Sequence, residues 1–188
     1  MRKLKLQVQI SVDGFIAGPN GEMDWMEWNW DDELNNYVAT FTEPVDSILL
    51  GRKLAEGFIP YWANAAQNPG HPDHAGGKKM DGTSKIVFSK TLRKSPWLNT
   101  KVANGELVDE ITRLKKQEGH DIIVYGGAEF VSNLINAGLI DEYYLFINPV
   151  AVGKGLTIFR KLENHLNLRL VESQSFPCGI VGFHYKPA

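Results

Sequence analysis

The chain opens on a strict alternation from Lys3 to Val12: Leu4, Leu6, Val8 and Ile10 share one side, while Lys5, Gln7 and Gln9 share the other. A period of two over this length predicts a strand. Asp13-Gly14 ends it, and a Gly/Pro/Asn-rich loop follows through Gly18-Pro19-Asn20-Gly21. Acids at Asp31, Asp32 and Glu33 then precede Leu34, Tyr37, Val38 and Phe41 at helical spacing, with Pro44 as the stop. Ser47 to Leu50 is a short apolar strand running into Gly51-Arg52-Lys53, and Leu54 to Phe58 reads as a short helix. Between Ile59 and Ser84 the prolines and glycines interrupt every period, so a long irregular loop is expected, of the kind that is often functional or moves over a ligand.

Beyond that loop, Lys85 to Phe88 and Thr100 to Ala103 read as strands, and Leu107, Ile111 and Leu114 mark a helix closed by Gly119. Asp121 to Tyr125 is a buried strand entering Gly126-Gly127, and Phe130, Val131, Leu134 and Ile135 form the next helical face. Glu142 to Val150 is a strand broken at Pro149, followed by a flexible Gly153-Lys154-Gly155 segment. Two alternating segments, Leu166 to Ser175 and Gly179 to Lys186, flank Pro177-Cys178-Gly179 as a terminal hairpin. Strands alternating with helices predict a mostly parallel central sheet with helices on both faces, closed by an antiparallel pair, in a single domain spanning 1–188.

Composition narrows the function more than the fold. A net charge of −2 in 188 residues leaves no electrostatic footprint for nucleic acid or an anionic membrane, so neither is an expected partner. No apolar run approaches the length a bilayer needs, and Met1-Arg2-Lys3 passes into a strand pattern without a signal-type apolar stretch. Cys178 is the only cysteine, which excludes an intrachain disulfide and suits a cytoplasmic location. It also excludes the Cys/His ligand set of a zinc deaminase. His71 and His74 lie in a Pro/Gly/Asn-rich stretch and read as loop residues, so no metal is expected.

The candidate chemistry sits where strands end. Gly126-Gly127-Ala128 after one strand allows a phosphate to approach the backbone at a helix N-terminus. Gly51-Arg52-Lys53 repeats that geometry with two cations, and Ser89-Lys90-Thr91 supplies hydroxyls and a third cation. Individually each has a bland reading: a tight turn, a solvated basic pair, a turn cap. Together they are what an extended polyphosphate such as a dinucleotide needs. The pattern is not the G-x-G-x-x-G fingerprint of classical dinucleotide-binding folds.

In order along the chain, Ser11-Val12-Asp13-Gly14-Phe15-Ile16-Ala17-Gly18, Leu49-Leu50-Gly51-Arg52, Ile86-Val87-Phe88-Ser89-Lys90-Thr91-Leu92, Ile123-Val124-Tyr125-Gly126-Gly127 and Ile140-Asp141-Glu142-Tyr143-Tyr144-Leu145 resemble the dihydrofolate reductase superfamily. The nearer likeness is to the C-terminal reductase domain of the bifunctional riboflavin deaminase-reductase, in a stand-alone form. The resemblance implies a dihydrofolate reductase-like fold and NADPH as cofactor. Gly51, Arg52 and Lys53 resemble its phosphate turn, with Arg52 facing the 2′-phosphate. Ser89 and Lys90 resemble the second wall of that site, and Gly126, Gly127 and Ala128 the pyrophosphate cradle. Ile16 and Ala17 resemble the backbone edge beside the nicotinamide.

Hydride transfer to a C=O or C=N carbon also needs a proton, for which Asp13, Asp31, Asp32 or a water are the candidates. Asp31 and Asp32 match the substrate-contacting acid of dihydrofolate reductases only roughly, and helix capping is their competing role. Trp25, Trp28 and Trp30 could form an aromatic shelf for a flat heterocycle, or pack the first loop onto the core. One departure stands out: the riboflavin-pathway reductases usually carry an acid before the Gly-Gly pair, where this chain has Tyr125. That weakens the assignment to the aminouracil ribose phosphate, 5-amino-6-(5-phosphoribosylamino)uracil, as substrate. Besides a reductase, a catalytically silent nucleotide-binding module, a flavin- or pterin-binding protein and dihydrofolate reductase activity remain open readings. A homodimer is what the resemblance implies, with the apolar residues of the Leu166–Tyr185 hairpin serving equally as interface or core.

Overall fold

The computed structural model describes residues 1–188. Its elements are β1 (Leu4–Ser11), α1 (Asp32–Thr42), β2 (Val45–Gly51), α2 (Arg52–Gln67), α3 (His74–Gly82), β3 (Ser84–Phe88), β4 (Thr100–Ala103), α4 (Leu107–Lys116), β5 (Asp121–Gly126), α5 (Ala128–Asn136), β6 (Glu142–Asn148), β7 (Leu168–Ser175) and β8 (Val181–Pro187). The strands form one eight-stranded sheet in the order β4-β3-β2-β5-β1-β6-β8-β7. The first six are parallel, and β8 runs antiparallel to both β6 and β7. This is the mostly parallel sheet with a terminal hairpin that the periodicity predicts.

Alternation along each strand divides the core in two. Leu4, Leu6, Val8 and Ile10 of β1 pack with Ile111 and Leu114 of α4 and with Phe130, Val131, Leu134 and Ile135 of α5. The opposite face carries Ile48, Leu50, Ile123, Tyr144 and Phe146 against Leu34 and Phe41 of α1 and Ala55 and Ile59 of α2. Each Leu, Ile, Val or Phe among them contributes about 1.5–3 kcal/mol on burial, which fixes which face of each helix meets the sheet.

The expected irregular stretch at 59–84 is mostly helical, and α2 runs to Gln67 rather than ending near Phe58. Pro60 lies inside α2, yet Ala55, Ile59 and Ala65 bury one continuous side of the helix. The glycines that read as breakers include Gly77, where a Cβ would stand 2.7 Å from the Ala66 nitrogen and 2.9 Å from the Ala65 Cβ. Its lack of a side chain lets α3 lie directly on α2. Lys85, 1% exposed, donates from Nζ to the carbonyls of Asp81 and Thr83, satisfying the C-terminal end of α3. Packing thus overrides the local breaker signals.

Candidate functional site

Because β4, β3, β2, β5, β1 and β6 are parallel, their carboxyl ends share one edge of the sheet, where ligands bind in open α/β folds. Gly51, Ser89, Gly126 and Gly127 lie at or next to the ends of the adjacent strands β3, β2 and β5, so the three junctions picked out in the sequence are brought together.

Two helices begin there side by side. Gly51 is the N-cap of α2 and Gly127 the N-cap of α5; neither end has a side-chain cap. A Cβ on Gly51 would stand 3.1 Å from the Phe130 Cβ and 3.3 Å from the Gly127 nitrogen, so the two backbones approach as closely as glycine permits. A Cβ on Gly127 would meet only the Leu54 Cβ, at 4.0 Å, so that glycine has room beside it. The Gly126–Gly127 peptide bond is cis, and Gly126 has φ +146°. Two uncapped helix starts aim free N–H groups and two positive dipole ends at one spot, which suits a pyrophosphate. Ala128, the first residue of α5, is buried.

The cations border this spot. Arg52 is the first residue of α2 and pairs with Glu56 one turn on, while Lys53 is exposed. Ser89 Oγ accepts from the amides of Thr91 and Leu92, at 3.2 and 3.0 Å, and so shapes the turn that presents exposed Lys90. Ser89 therefore works as a turn cap in this conformation.

Ile16 and Ala17 are 8% and 7% exposed. The Ile16 amide donates to Leu156, and the Ala17 carbonyl accepts from Leu156, both at 2.8 Å. That bridge leaves the Ile16 carbonyl and the Ala17 amide without a backbone partner. A buried acceptor and donor on adjacent residues complement a carboxamide, so this edge fits a nicotinamide as the cradle fits its phosphates.

The candidate proton donors are differently employed. Asp13 accepts from Ser11 Oγ at 2.6 Å and from the amides of Val152 and Gly153 at 3.0 and 2.6 Å. The Ser11 hydroxyl first, then those two amides, hold its carboxyl down at about 2. It is an ionised clamp on the 150–155 segment, which is anchored where flexibility was expected. Asp31 accepts from the amides of Leu34 and Cys178, each at 2.9 Å, capping α1 and tying it to the terminal hairpin. The Leu34 amide, chiefly, lowers its carboxyl. Asp32 is exposed in the first turn. Two of the three acids thus have structural partners that favour the charged form.

The three tryptophans divide. Trp30 stacks on Phe146 with centroids 6.1 Å apart and donates from Nε1 to the Glu27 carbonyl, so it packs the loop. Trp28 is 61% exposed. Trp25 is half-buried, with its Nε1 enclosed and without an acceptor. The loop is held to β6 by fully buried Asn148, whose Oδ1 accepts from the Glu27 amide at 2.8 Å and whose Nδ2 donates to Gln9 Oε1 at 2.9 Å.

Gln7, Gln9 and Asn148 were given no role by sequence. Alternation alone casts Lys5, Gln7 and Gln9 as a solvent face, yet Lys5 is 5% and Gln7 7% exposed. The available signal was their position on a strand bound to be central, because a parallel strand with helices on both faces has no wet side.

No group of three or more His, Cys, Asp or Glu side chains is arranged to hold a metal. No helix is long and apolar enough to cross a membrane.

Residues 2–182 match the model of the RibD C-terminal domain. An uncharacterized protein of Bacillus subtilis strain 168, YyaP, is 33% identical over 187 residues, covering 98% of this chain and 94% of that one. A putative riboflavin biosynthesis protein from Shewanella sp. PV-4 superimposes with a TM-score of 0.75 at 22% identity, covering 100% of this chain and 99% of that one. Dihydrofolate reductase from Enterococcus faecalis, solved with NADP(H), gives 0.64 at 14% identity, over 98% of this chain and 96% of that one. The fold is dihydrofolate reductase-like.

Proposed function

The chain belongs to the RibD C-terminal domain family, a family of reductase domains, and from that premise we propose that it is an NADPH-dependent reductase transferring hydride to a small heterocyclic substrate. The observation that carries the proposal is the adjacency of the uncapped starts of α2 and α5 at Gly51 and Gly127, flanked by Arg52, Lys53 and Lys90. Gly126, Gly127 and Ala128 would hold the pyrophosphate, Arg52 and Lys53 with Ser89 and Lys90 the 2′-phosphate end, and Ile16 and Ala17 the carboxamide. A nicotinamide bound there supplies the hydride. The protein's own work is to orient the ring, exclude water and present the substrate.

Reduction of 5-amino-6-(5-phosphoribosylamino)uracil in riboflavin biosynthesis is the reaction that family membership suggests. Tyr125 before the glycine pair argues for a substrate read differently at that end. A cytoplasmic location accords with the lone Cys178, and a homodimer with the habit of related reductases.

A second reading, a silent nucleotide-binding module, is favoured by one observation: Asp13 and Asp31 are both committed to structural partners. Calorimetric titration with NADPH and with NADH tests the cofactor half, and NADPH oxidation in the presence of candidate heterocycles tests turnover. Binding of NADPH far tighter than NADH, with turnover, is expected. Binding without turnover on any candidate favours the silent module, and absence of binding overturns both readings.

A further inference from the structure

Charge is placed unevenly along this chain. From Glu22 to Glu33 the first loop and the start of α1 carry six acids and no Lys or Arg, while from Lys85 to Gly105 there are five Lys or Arg and no acid. The net charge of −2 conceals both blocks. Lys85 is buried against the end of α3, which leaves Lys90, Arg93, Lys94 and Lys101 exposed. None of these four takes part in an ion pair.

The connection from β3 to β4 is fastened so that its first cations stay at the carboxyl edge of the sheet. Ser89 Oγ accepts from the Leu92 amide at 3.0 Å, and Asn104, just past β4, donates from Nδ2 to the Leu92 carbonyl at 2.9 Å. Leu92 and Trp97 pack on the α1/α2-side core. Arg93 and Lys94 follow Leu92 directly, so at most about 14 Å of chain separates either from Lys90. That is comparable with the Debye length of about 10 Å at 0.1 M salt and well inside the roughly 30 Å at 0.01 M.

The acidic block lies at the other end of the proposed cofactor path. It follows Ile16 and Ala17, beyond the end of β1, and β5 and β2 stand between β1 and β3 in the sheet. At about 4.8 Å per strand the two junctions are roughly 14 Å apart. Lys154 stands by Glu22 at one corner of the acidic block. Glu106 and Asp109, at the start of α4, are the acids that follow the basic block, two charges against four exposed cations.

We propose that Arg93 and Lys94 are steering residues for the cofactor. Their field draws the phosphorylated end toward the β2–β3 edge, while the acidic loop turns that end away from the nicotinamide edge. The inference rests on the reductase reading and adds to it how the cofactor is captured and oriented. The phosphomonoester that distinguishes NADPH from NADH carries about −1.5 to −2 charges at neutral pH, so the same field acts more strongly on NADPH. Selection then begins in the association rate, ahead of any contact with Arg52 and Lys90.

The test is stopped-flow mixing of the full chain with NADPH and, separately, NADH, followed by cofactor fluorescence at about 0.02 and 0.5 M salt. One variant combines Arg93→Ala with Lys94→Ala. The other, Lys116→Glu, changes the net charge by the same amount at the far end of α4, beside Arg2 at the amino edge of the sheet. All three side chains but the buried stem of none are exposed and free of ion pairs, so both variants should melt near the parent. At low salt the double variant should capture NADPH about fivefold more slowly and NADH about twofold more slowly, with dissociation rates unchanged. At high salt it should converge on the parent, and Lys116→Glu should match the parent throughout. A parent-like association rate in the double variant, a loss carried by dissociation at both salts, or an equal slowing in Lys116→Glu overturns steering. NADPH binding by the parent keeps the reductase reading alive through each of those results. Absence of that binding is the separate outcome that sinks both.

Discussion

Gly51 and Gly127, 76 positions apart in the chain, meet at the starts of α2 and α5, where a Cβ on the first would lie 3.3 Å from the amide nitrogen of the second. They answer differently to substitution. Gly51→Ala forces its methyl against Phe130 and the Gly127 backbone, so the melting temperature should fall. Gly127→Ala has room within the protein, and its φ of −82° suits any residue. It should fold normally and bind NADPH at least tenfold more weakly, because the methyl enters the space the phosphate needs. Melting and calorimetry on the two variants separate packing from ligand contact; retained NADPH affinity in Gly127→Ala would move the pyrophosphate elsewhere.

Arg52 and Lys90 carry the expected preference for NADPH. A charge-assisted contact is worth about 1.5–3 kcal/mol, so Arg52→Ala combined with Lys90→Ala should cost NADPH at least tenfold and leave NADH little changed. Equal losses for both cofactors, measured by titration, reject these residues as readers of the 2′-phosphate.

Acid should loosen the molecule at two carboxylates. The Ser11 hydroxyl and the Val152 and Gly153 amides hold Asp13 at about 2. Burial opposes ionisation of Glu142, but Lys3, the Tyr144 hydroxyl and Lys186 outweigh it and hold that group at about 2 as well. Folded values below the unfolded ones mean that both groups stabilise fully above the ordinary carboxylate range, and that this support is lost as pH falls toward 2. Melting temperature should therefore decline from about pH 4.5 downward. In Glu142→Gln the decline should be shallower, from a lower starting stability. An unchanged acid limb in that variant contradicts the assignment.

Asp13→Asn weakens the clamp on the 150–155 segment without touching the core. Hydrogen exchange at the Val152 and Gly153 amides should accelerate, while that of β1 stays slow. NADPH affinity should fall through the Ile16–Leu156 bridge that this segment supports. Unchanged exchange at both amides would show that the segment is held by other contacts.

Trp28 and Trp30 test the aromatic loop. Trp30→Ala should destabilise by about 2–4 kcal/mol, since its ring packs on Phe146. Trp28→Ala should leave melting unchanged, its ring being largely exposed. If Trp28 forms a shelf, its loss weakens heterocycle binding and removes the fluorescence change on ligand addition; if it does not, both persist.

The strands, four of the helices and the adjacency of three glycine- or serine-bearing strand ends were legible in the sequence because each rests on local physics. Alternation decides a strand's two faces, 3.6-residue spacing decides a buried helical side, and glycine after a strand decides where a backbone can be approached. Sequence periodicity also marked the acid-rich start of α1, though not that Asp31 reaches across to the Cys178 amide. Only the tertiary structure decided the rest, since it depends on groups far apart in the chain. Gly77 became a helix-contact residue because α2 lies beneath it. Lys5 and Gln7 became interior because β1 is covered on both faces, and Asp13 became a committed anion because the 150–155 amides converge on it. Chain order supplies the parts of a site within about one turn or one strand of each other. Which of those parts keep a free hydrogen-bonding group is set by partners more than a hundred residues away, as the pairing of Gln9 with Asn148 and the solitude of Gln7 illustrate.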